Sequence, residues 1–130
     1  MAELPRILIV DDSRVVRVSL IHHLKGYYEV REECDGEAAW QSLVVDHSIR
    51  AVISDLQMPK LNGIDATRAI RRLPGHAHTP IVAMTANAFD EDRKVCVDAG
   101  MNDHIGKPII PEKLFDTLLI WLSANRATPA

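Results

Sequence analysis

Short apolar runs alternate along this chain with longer segments in which apolar residues recur at helical spacing. Runs of roughly four to eight residues are typical of buried strands, whereas the longer periodicity is typical of helices. The predicted strands are residues 6–10, 28–32, 51–55, 80–84 and 103–106. The predicted helices are residues 13–25, a segment through 38–44, and residues 64–73, 89–99 and 111–123.

Two helix ends carry clear local signals. Gly100 follows the fourth helix, where a residue with positive φ commonly ends a helix. Pro111 suits the first turn of the last helix, because the missing N–H would have no partner there. The last helix is predicted to bury one stripe, formed by Leu114, Phe115, Leu118, Leu119 and Leu122.

Strict alternation of strands and helices predicts an α/β fold in which right-handed crossovers build a parallel sheet covered by helices on both faces. The second strand alternates apolar and charged residues, as an edge strand with one exposed side does. The flavodoxin-like strand order 2-1-3-4-5 places that strand at an edge. We therefore predict a doubly wound, five-stranded sheet with five helices.

The chain has 130 residues, which suits one domain. We predict a domain over 6–123 and a polar tail or linker over 124–130. No apolar run reaches membrane-spanning length, no basic and apolar leader begins the chain, and the expected location is cytoplasmic. Cys34 and Cys96 lie far apart and are expected to be unpaired.

Charge argues against direct binding of nucleic acid, because the net charge of −3 offers no extended basic surface. Arg68, Arg71 and Arg72 do cluster, but they end a predicted helix, where cations complement the helix dipole. We therefore interpret this cluster as structural.

Chemically useful side chains follow four of the predicted strands. Asp11 and Asp12 follow the first strand, Asp55 ends the third, Thr85 follows the fourth and Lys107 follows the last. Parallel strands all end at one edge of the sheet, so these groups are expected to converge there. Three close carboxylates repel one another and should have raised pKa values unless a cation offsets them. Mg²⁺, which takes oxygen ligands and works with phosphate, fits such a cluster.

Together these motifs resemble the receiver domains of two-component response regulators, from Ile7 to Leu122. The matching segments are Val10-Asp11-Asp12, Asp55-Leu56-Gln57-Met58-Pro59 with Asn62-Gly63, Met84-Thr85-Ala86 and Lys107-Pro108. The segments from Met84 to Ala88 and from Gly100 to Pro108 look most like those of receivers in hybrid sensor histidine kinases or phosphorelays.

The resemblance implies a phosphoacceptor signalling module. Asp55 would receive a phosphoryl group from the phosphohistidine of a histidine kinase or a histidine phosphotransfer domain. Asp12 would bind Mg²⁺ directly and Asp11 through water, with the Asp55 carboxylate and the Gln57 backbone carbonyl completing the protein ligands. The module would catalyse its own phosphorylation and dephosphorylation.

The other matching residues have supporting roles in the family. Lys107 would contact a phosphate oxygen, and Thr85 would donate its hydroxyl to the same phosphate. Small Ala86 would leave the approach to Asp55 open, and the bond before Pro108 is cis in the family. Gln57 and Asn87 would flank the path of the attacking water and tune the lifetime of the phosphate.

His104 departs from the family pattern, in which an aromatic residue three positions before the lysine turns inward on activation. Histidine is smaller than tyrosine and titrates near neutral pH, so it packs inward more easily when neutral. His104 as a switch and His104 as a plain surface residue both stay open. The family's switching surface is made by helix 4, strand 5 and helix 5, through which a dimer is also expected.

Two other function classes compete with this interpretation. A Mg²⁺-dependent phosphatase would use the same carboxylates but turn over an external phosphate ester. A flavodoxin-like flavin carrier would need a glycine- and hydroxyl-rich phosphate loop after the first strand, where Asp11-Asp12 stands instead. The six histidines are expected to be surface residues, because none of their spacings indicates a metal site.

Overall fold

The computed structural model describes residues 4–55, 62–85, 90–107 and 109–127. Five parallel strands form one sheet in the order β2-β1-β3-β4-β5, as predicted. The strands are β1 (Arg6–Val10), β2 (Glu29–Glu33), β3 (Ile49–Asp55), β4 (Ile81–Thr85) and β5 (Asp103–Gly106). The helices are α1 (Arg14–Leu24), α2 (Gly36–Val45), α3 (Gly63–Arg71), α4 (Asp90–Ala99) and α5 (Pro111–Ala127).

Helices cover both faces of the sheet. Successive residues of each central strand point to opposite sides, so each central strand contributes side chains to both cores. On one side Ile7, Ile9, Ile53 and Met84 pack against Leu20 and Leu24 of α1 and Leu114 and Leu118 of α5. On the other side Leu8, Val10, Val52 and Ala83 pack with Leu43 of α2, Ile70 of α3 and Cys96 of α4. The near-continuous apolar runs of the central strands follow from this burial on two faces.

Strand β2 lies at the edge of the sheet, as its alternating sequence predicts. Within the described ranges it pairs with β1 alone, and Glu29 and Arg31 on it are exposed. Its charged side chains protect the open edge from pairing with another chain. Cys34 is exposed and Cys96 is buried, and the two thiols form no disulfide with each other.

The last helix differs from the prediction in two respects. Leu119 is 63% exposed instead of buried, and α5 continues to Ala127, beyond the end expected at Ser123. Leu114, Leu118 and Leu122 are buried, and their spacing of four residues keeps one narrow stripe on the sheet. Leu119 follows Leu118 by one residue, a rotation of about 100° that takes it away from the core.

Helix α3 begins at Gly63, one residue before the predicted start, and ends at Arg71 instead of Leu73. The side-chain oxygen of Asn62 accepts a hydrogen bond from the Asp65 amide at 2.9 Å. Asn62 is therefore the N-cap, which satisfies an amide that the helix itself leaves unpaired.

Arg71, at the end of α3, binds more partners than a helix-ending cation needs. Its guanidinium donates five hydrogen bonds of 2.7–3.1 Å, all to neutral oxygens of Gly100, His76, Thr79 and Asn102. Burial lowers the pKa of Arg71 below its ordinary value. The side chain therefore fastens the end of α3 to the loop before β4 and to the turn between α4 and β5.

The prediction that all histidines lie on the surface is wrong for His76, which is only 1% exposed. Its Nδ1 lies 2.9 Å from the Thr79 hydroxyl, and its ring stacks on that of His47 with 5.6 Å between centroids. Nε2 is buried without a hydrogen-bond partner among the residues that the structure describes. Desolvation by burial lowers the pKa of His76, and the nearby carbonyls of Leu43 and Asp46 only partly oppose this.

This lowered pKa makes stability depend on pH with a definite sign. Between the folded pKa of His76 and about 6.5, the unfolded chain binds a proton that the folded chain excludes. We expect this contribution to stability to be complete above pH 6.5 and to be lost as the pH falls through the folded value. The measurement is the free energy of urea unfolding at pH 7.5 and pH 5.5.

His76→Gln should reduce the difference between the two pH values, since glutamine does not titrate. His78→Gln, in the same loop but exposed, is the matched control and should leave the pH dependence unchanged. An equal pH dependence in the His76→Gln variant and the parent would contradict this origin.

Candidate functional site

Four strand ends meet at one edge of the sheet and bring the predicted side chains together. Val10 pairs in register with Ser54, and Asp55 pairs with Met84, so Asp11 and Asp55 leave neighbouring strands at the same level. The Lys107 amide donates to the Thr85 carbonyl at 2.9 Å, which extends the ladder between β4 and β5 to the same edge. The predicted convergence is therefore present in the structure.

The three carboxylates of Asp11, Asp12 and Asp55 form a compact acidic cluster. Each offers one oxygen, and these oxygens lie within 4.8 Å of one another. Asp11 is fully buried, Asp55 is nearly so, and Asp12 is exposed at the rim. A cluster of hard oxygen ligands that is open on one side fits Mg²⁺, which usually retains several water ligands.

Lys107 provides the positive charge beside this cluster. Its Nζ lies 3.2 Å from Asp11 Oδ2 and 3.4 Å from Asp55 Oδ1. Desolvation is the largest single influence and lowers the pKa of Lys107, but its hydrogen bond to Asp11 and the charge of Asp55 outweigh it. The net result is a raised pKa, so the ammonium stays charged beside Asp55.

The segment after β1 is fixed by a short series of hydrogen bonds. Asp11 Oδ1 accepts from the Ser13 amide at 2.8 Å, and the Ser13 hydroxyl caps α1 by accepting from the Val16 amide. Arg17 donates from Nη1 to the Asp11 carbonyl at 2.6 Å. Sequence reasoning missed Arg17, because a guanidinium that binds a backbone carbonyl leaves no motif.

His104 lies on β5, where its side chain is 23% exposed. It borders a cleft toward Cys96 and Val97 of α4 and another toward Thr117 of α5. Its neighbour Asp103 accepts a hydrogen bond from Trp121 Nε1 at 2.8 Å. His104 thus stands between the two helices of the predicted switching surface, and its role as a switch stays a prediction.

Four predicted site residues, Gln57, Ala86, Asn87 and Pro108, lie outside the described residues. Their roles therefore stay predictions. Thr85 ends β4 at the functional edge and is partly exposed.

The fold and this edge define a receiver domain. Residues 7–119 match the family of response regulator receiver domains, so the chain belongs to that family. It is 30% identical over 122 residues to the chemotaxis protein CheY1 of Helicobacter pylori, covering 92% of this chain and 98% of that protein.

A similar receiver occurs inside a much longer kinase. The chain is 35% identical over 125 residues to the osmosensing histidine protein kinase SLN1 of Saccharomyces cerevisiae, covering 92% of this chain and 10% of the kinase. Among solved structures it resembles the receiver domain of a sensor histidine kinase from Pseudomonas aeruginosa PAO1. That structure has a magnesium ion coordinated in its active site cleft. The comparison with it gives a TM-score of 0.86 and 35% sequence identity, and it covers 92% of this chain and 98% of that chain.

The described ranges 4–55, 62–85, 90–107 and 109–127 contain five helices. None of them combines the length and the apolar character needed to cross a bilayer. The cytoplasmic location stays a prediction.

Proposed function

We propose that this receiver domain is a phosphoacceptor in a two-component system or phosphorelay, and that Asp55 carries the phosphoryl group. One observation supports this most strongly: Lys107 Nζ lies within 3.4 Å of both Asp11 and Asp55, at the edge where three carboxylates gather. Phosphoryl transfer requires positioned groups and neutralised charge more than covalent help from the protein.

The phosphodonor in this proposal is the phosphohistidine of a histidine kinase or a histidine phosphotransfer domain. A carboxylate oxygen of Asp55 attacks the phosphorus atom, and a P–O bond forms as the P–N bond to the donor imidazole breaks. The electron pair of the P–N bond returns to the imidazole, which takes up a proton. The domain thus catalyses its own phosphorylation and is not an enzyme that turns over free substrate.

Asp12 and Asp55, with the backbone carbonyl of Gln57, would hold Mg²⁺ directly, and Asp11 would contribute through water. Bound Mg²⁺ supplies charge neutralisation for the phosphate oxygens. Lys107 would bind one of those oxygens, for which its charged, flexible side chain is suited. The Thr85 hydroxyl would donate to another oxygen.

Phosphorylation would be read out on the surface formed by α4, β5 and α5. Among the described side chains of α4 and α5, four large apolar ones are exposed: Val95, Val97, Leu119 and Ile120. Exposed apolar residues of this kind suit a partner protein or a second copy of the domain. In the proposal Thr85 moves toward the phosphate and His104 takes up the space, while Ala86 leaves Asp55 accessible.

The lifetime of the phosphate would depend on Gln57 and Asn87, whose side chains can orient or block an attacking water. Pro108 would hold Lys107 in place through the bond between them. The phosphatase alternative differs in one measurable respect, because it requires repeated turnover of an external phosphate ester.

Labelling by a small acyl phosphate tests the proposal. With MgCl₂ and acetyl phosphate, intact-mass spectrometry should show one added phosphoryl group per chain, and with EDTA it should show none. The physical reason is that the acidic cluster repels the phosphate unless a cation neutralises it. Labelling that is equally rapid in EDTA would contradict the Mg²⁺ requirement. Steady hydrolysis of p-nitrophenyl phosphate would favour the phosphatase instead.

A further inference from the structure

Arg17 links the functional edge to the edge strand of the sheet. Its Nη1 donates to the Asp11 carbonyl at 2.6 Å, and its Nε donates to Glu32 Oε1 at 2.8 Å. The Arg17 side chain is only 14% exposed, whereas that of Glu32 is 46% exposed. The guanidinium is therefore packed between α1 and β2 and is anchored on both sides.

The carbonyl that Arg17 binds belongs to the peptide between Asp11 and Asp12. On the other side of Asp11, its amide donates to the Glu33 carbonyl at 3.2 Å, just past the pairing of Val10 with Glu33 that ends β1 and β2. Beyond that contact the chain leaves the sheet, and the Asp11 carbonyl accepts a hydrogen bond from Arg17 in place of a strand amide. Because the peptide is planar, its orientation constrains ψ of Asp11 and φ of Asp12, and thereby the directions in which the two side chains leave the backbone.

We propose that Arg17 is a positioning residue for the metal site: by holding the Asp11–Asp12 peptide, it orients both carboxylates for Mg²⁺. This inference rests on the proposed function, because it takes the acidic cluster as the Mg²⁺ site. Arginine suits the task, since its planar group donates in two fixed directions at once. Glu32 holds the guanidinium in place from the edge strand.

Positioning and simple charge have opposite effects on Mg²⁺ affinity, so they can be separated. A positive charge near the cluster repels Mg²⁺, and its removal alone would strengthen binding. Loss of orientation weakens binding instead. Arg17→Lys retains the charge but loses the planar fork, whereas Arg17→Gln loses both.

Calorimetric titration of the full chain with MgCl₂ measures the effect without using phosphorylation. Outer groups that orient metal ligands typically change metal affinity by about 10- to 100-fold when they are mutated. We expect Arg17→Lys and Arg17→Gln each to raise the Kd for Mg²⁺ about tenfold. Arg14→Lys and Arg14→Gln are matched controls, because Arg14 is exposed on the same helix. The Kd of both controls should stay within about twofold of the parent.

Glu32→Gln provides a milder test that keeps Arg17 and its bond to Asp11 intact. It should raise the Kd in the same direction by a smaller factor, and combining it with Arg17→Lys should add little further. Thermal melting of every variant, measured without metal, separates this effect from a loss of stability.

Three outcomes would overturn the inference while leaving the proposed function intact. In the first, Arg17→Lys melts at a lower temperature but binds Mg²⁺ as the parent does, so that Arg17 is only structural. In the second, Arg17→Gln binds Mg²⁺ more tightly, so that charge dominates. In the third, the Arg14 variants weaken binding as much as the Arg17 variants. A parent chain that shows no Mg²⁺ binding would instead contradict the proposed function.

Discussion

Replacing Asp55 by Asn should abolish phosphorylation, reducing the incorporated phosphate from one group per chain to none. In the proposed function the carboxylate would supply the attacking oxygen, and an amide of the same shape lacks the charge and the basicity for that attack. Asp55 has Lys107 at 3.4 Å and lies where β3 reaches the edge of the sheet. Intact-mass spectrometry after incubation with acetyl phosphate and MgCl₂ measures the result.

Melting temperature distinguishes this chemical effect from unfolding. Asp55→Asn removes one of three mutually repelling carboxylates, so it should melt no lower than the parent does. Asp116→Asn, an exposed position on α5, is the matched control and should be labelled as the parent is. Phosphate on the Asp55→Asn chain in the amount found on the parent would show that another residue is the acceptor.

The convergence of Asp11, Asp55, Thr85 and Lys107 was predictable because it follows from topology. Once alternating strands and helices indicate a parallel sheet, every strand end lies at the same edge. The position of β2 was predictable for a similar reason, since one exposed face leaves alternating polarity in the sequence. Both inferences need only local patterns and the general rules of parallel sheets.

Arg17, Arg71 and His76 could not be predicted, because their partners are distant in sequence or belong to the backbone. Arg71 binds the carbonyl of Gly100, 29 residues away, and a carbonyl exists at every position regardless of sequence. His76 stacks on His47, which lies 29 residues earlier in the chain, just after α2. The error at Leu119 has a different origin, since the exact rotation of a helix depends on what packs against it.

The second large effect is expected at Arg71, where a substitution should destabilise the whole domain. Arg71→Ala removes five hydrogen bonds and leaves the Gly100 and Thr79 carbonyls to find other partners. Hydrogen bonds to a charged group contribute roughly 1.5–3 kcal/mol each but are not additive, so we expect a loss of about 3 kcal/mol. That is a large fraction of a stability that is typically about 5–15 kcal/mol.

Arg72→Ala is the matched control for this effect, because Arg72 is the next residue, carries the same charge and is exposed. A surface substitution of that kind should change stability by no more than about 0.5 kcal/mol. Arg71→Lys keeps the charge at the end of α3 but cannot reach four separate oxygens with one ammonium. We therefore expect it to lose most of the stability that Arg71→Ala loses.

Urea unfolding at pH 7.5 measures all three variants, and the comparison separates two physical origins. If the interaction of a cation with the helix dipole is what stabilises the domain, Arg71→Lys will match the parent and Arg72→Ala will lose as much as Arg71→Ala. If the hydrogen bonds are what matters, both Arg71 variants will unfold at clearly lower urea and Arg72→Ala will not. We expect the second pattern, because Arg71 donates five hydrogen bonds whereas Arg72 is exposed. Asn102, one of the acceptors of Arg71, also accepts from the Ile81 amide at 2.9 Å. Loss of Arg71 therefore loosens the start of β4 together with the turn that leads into β5 and Lys107.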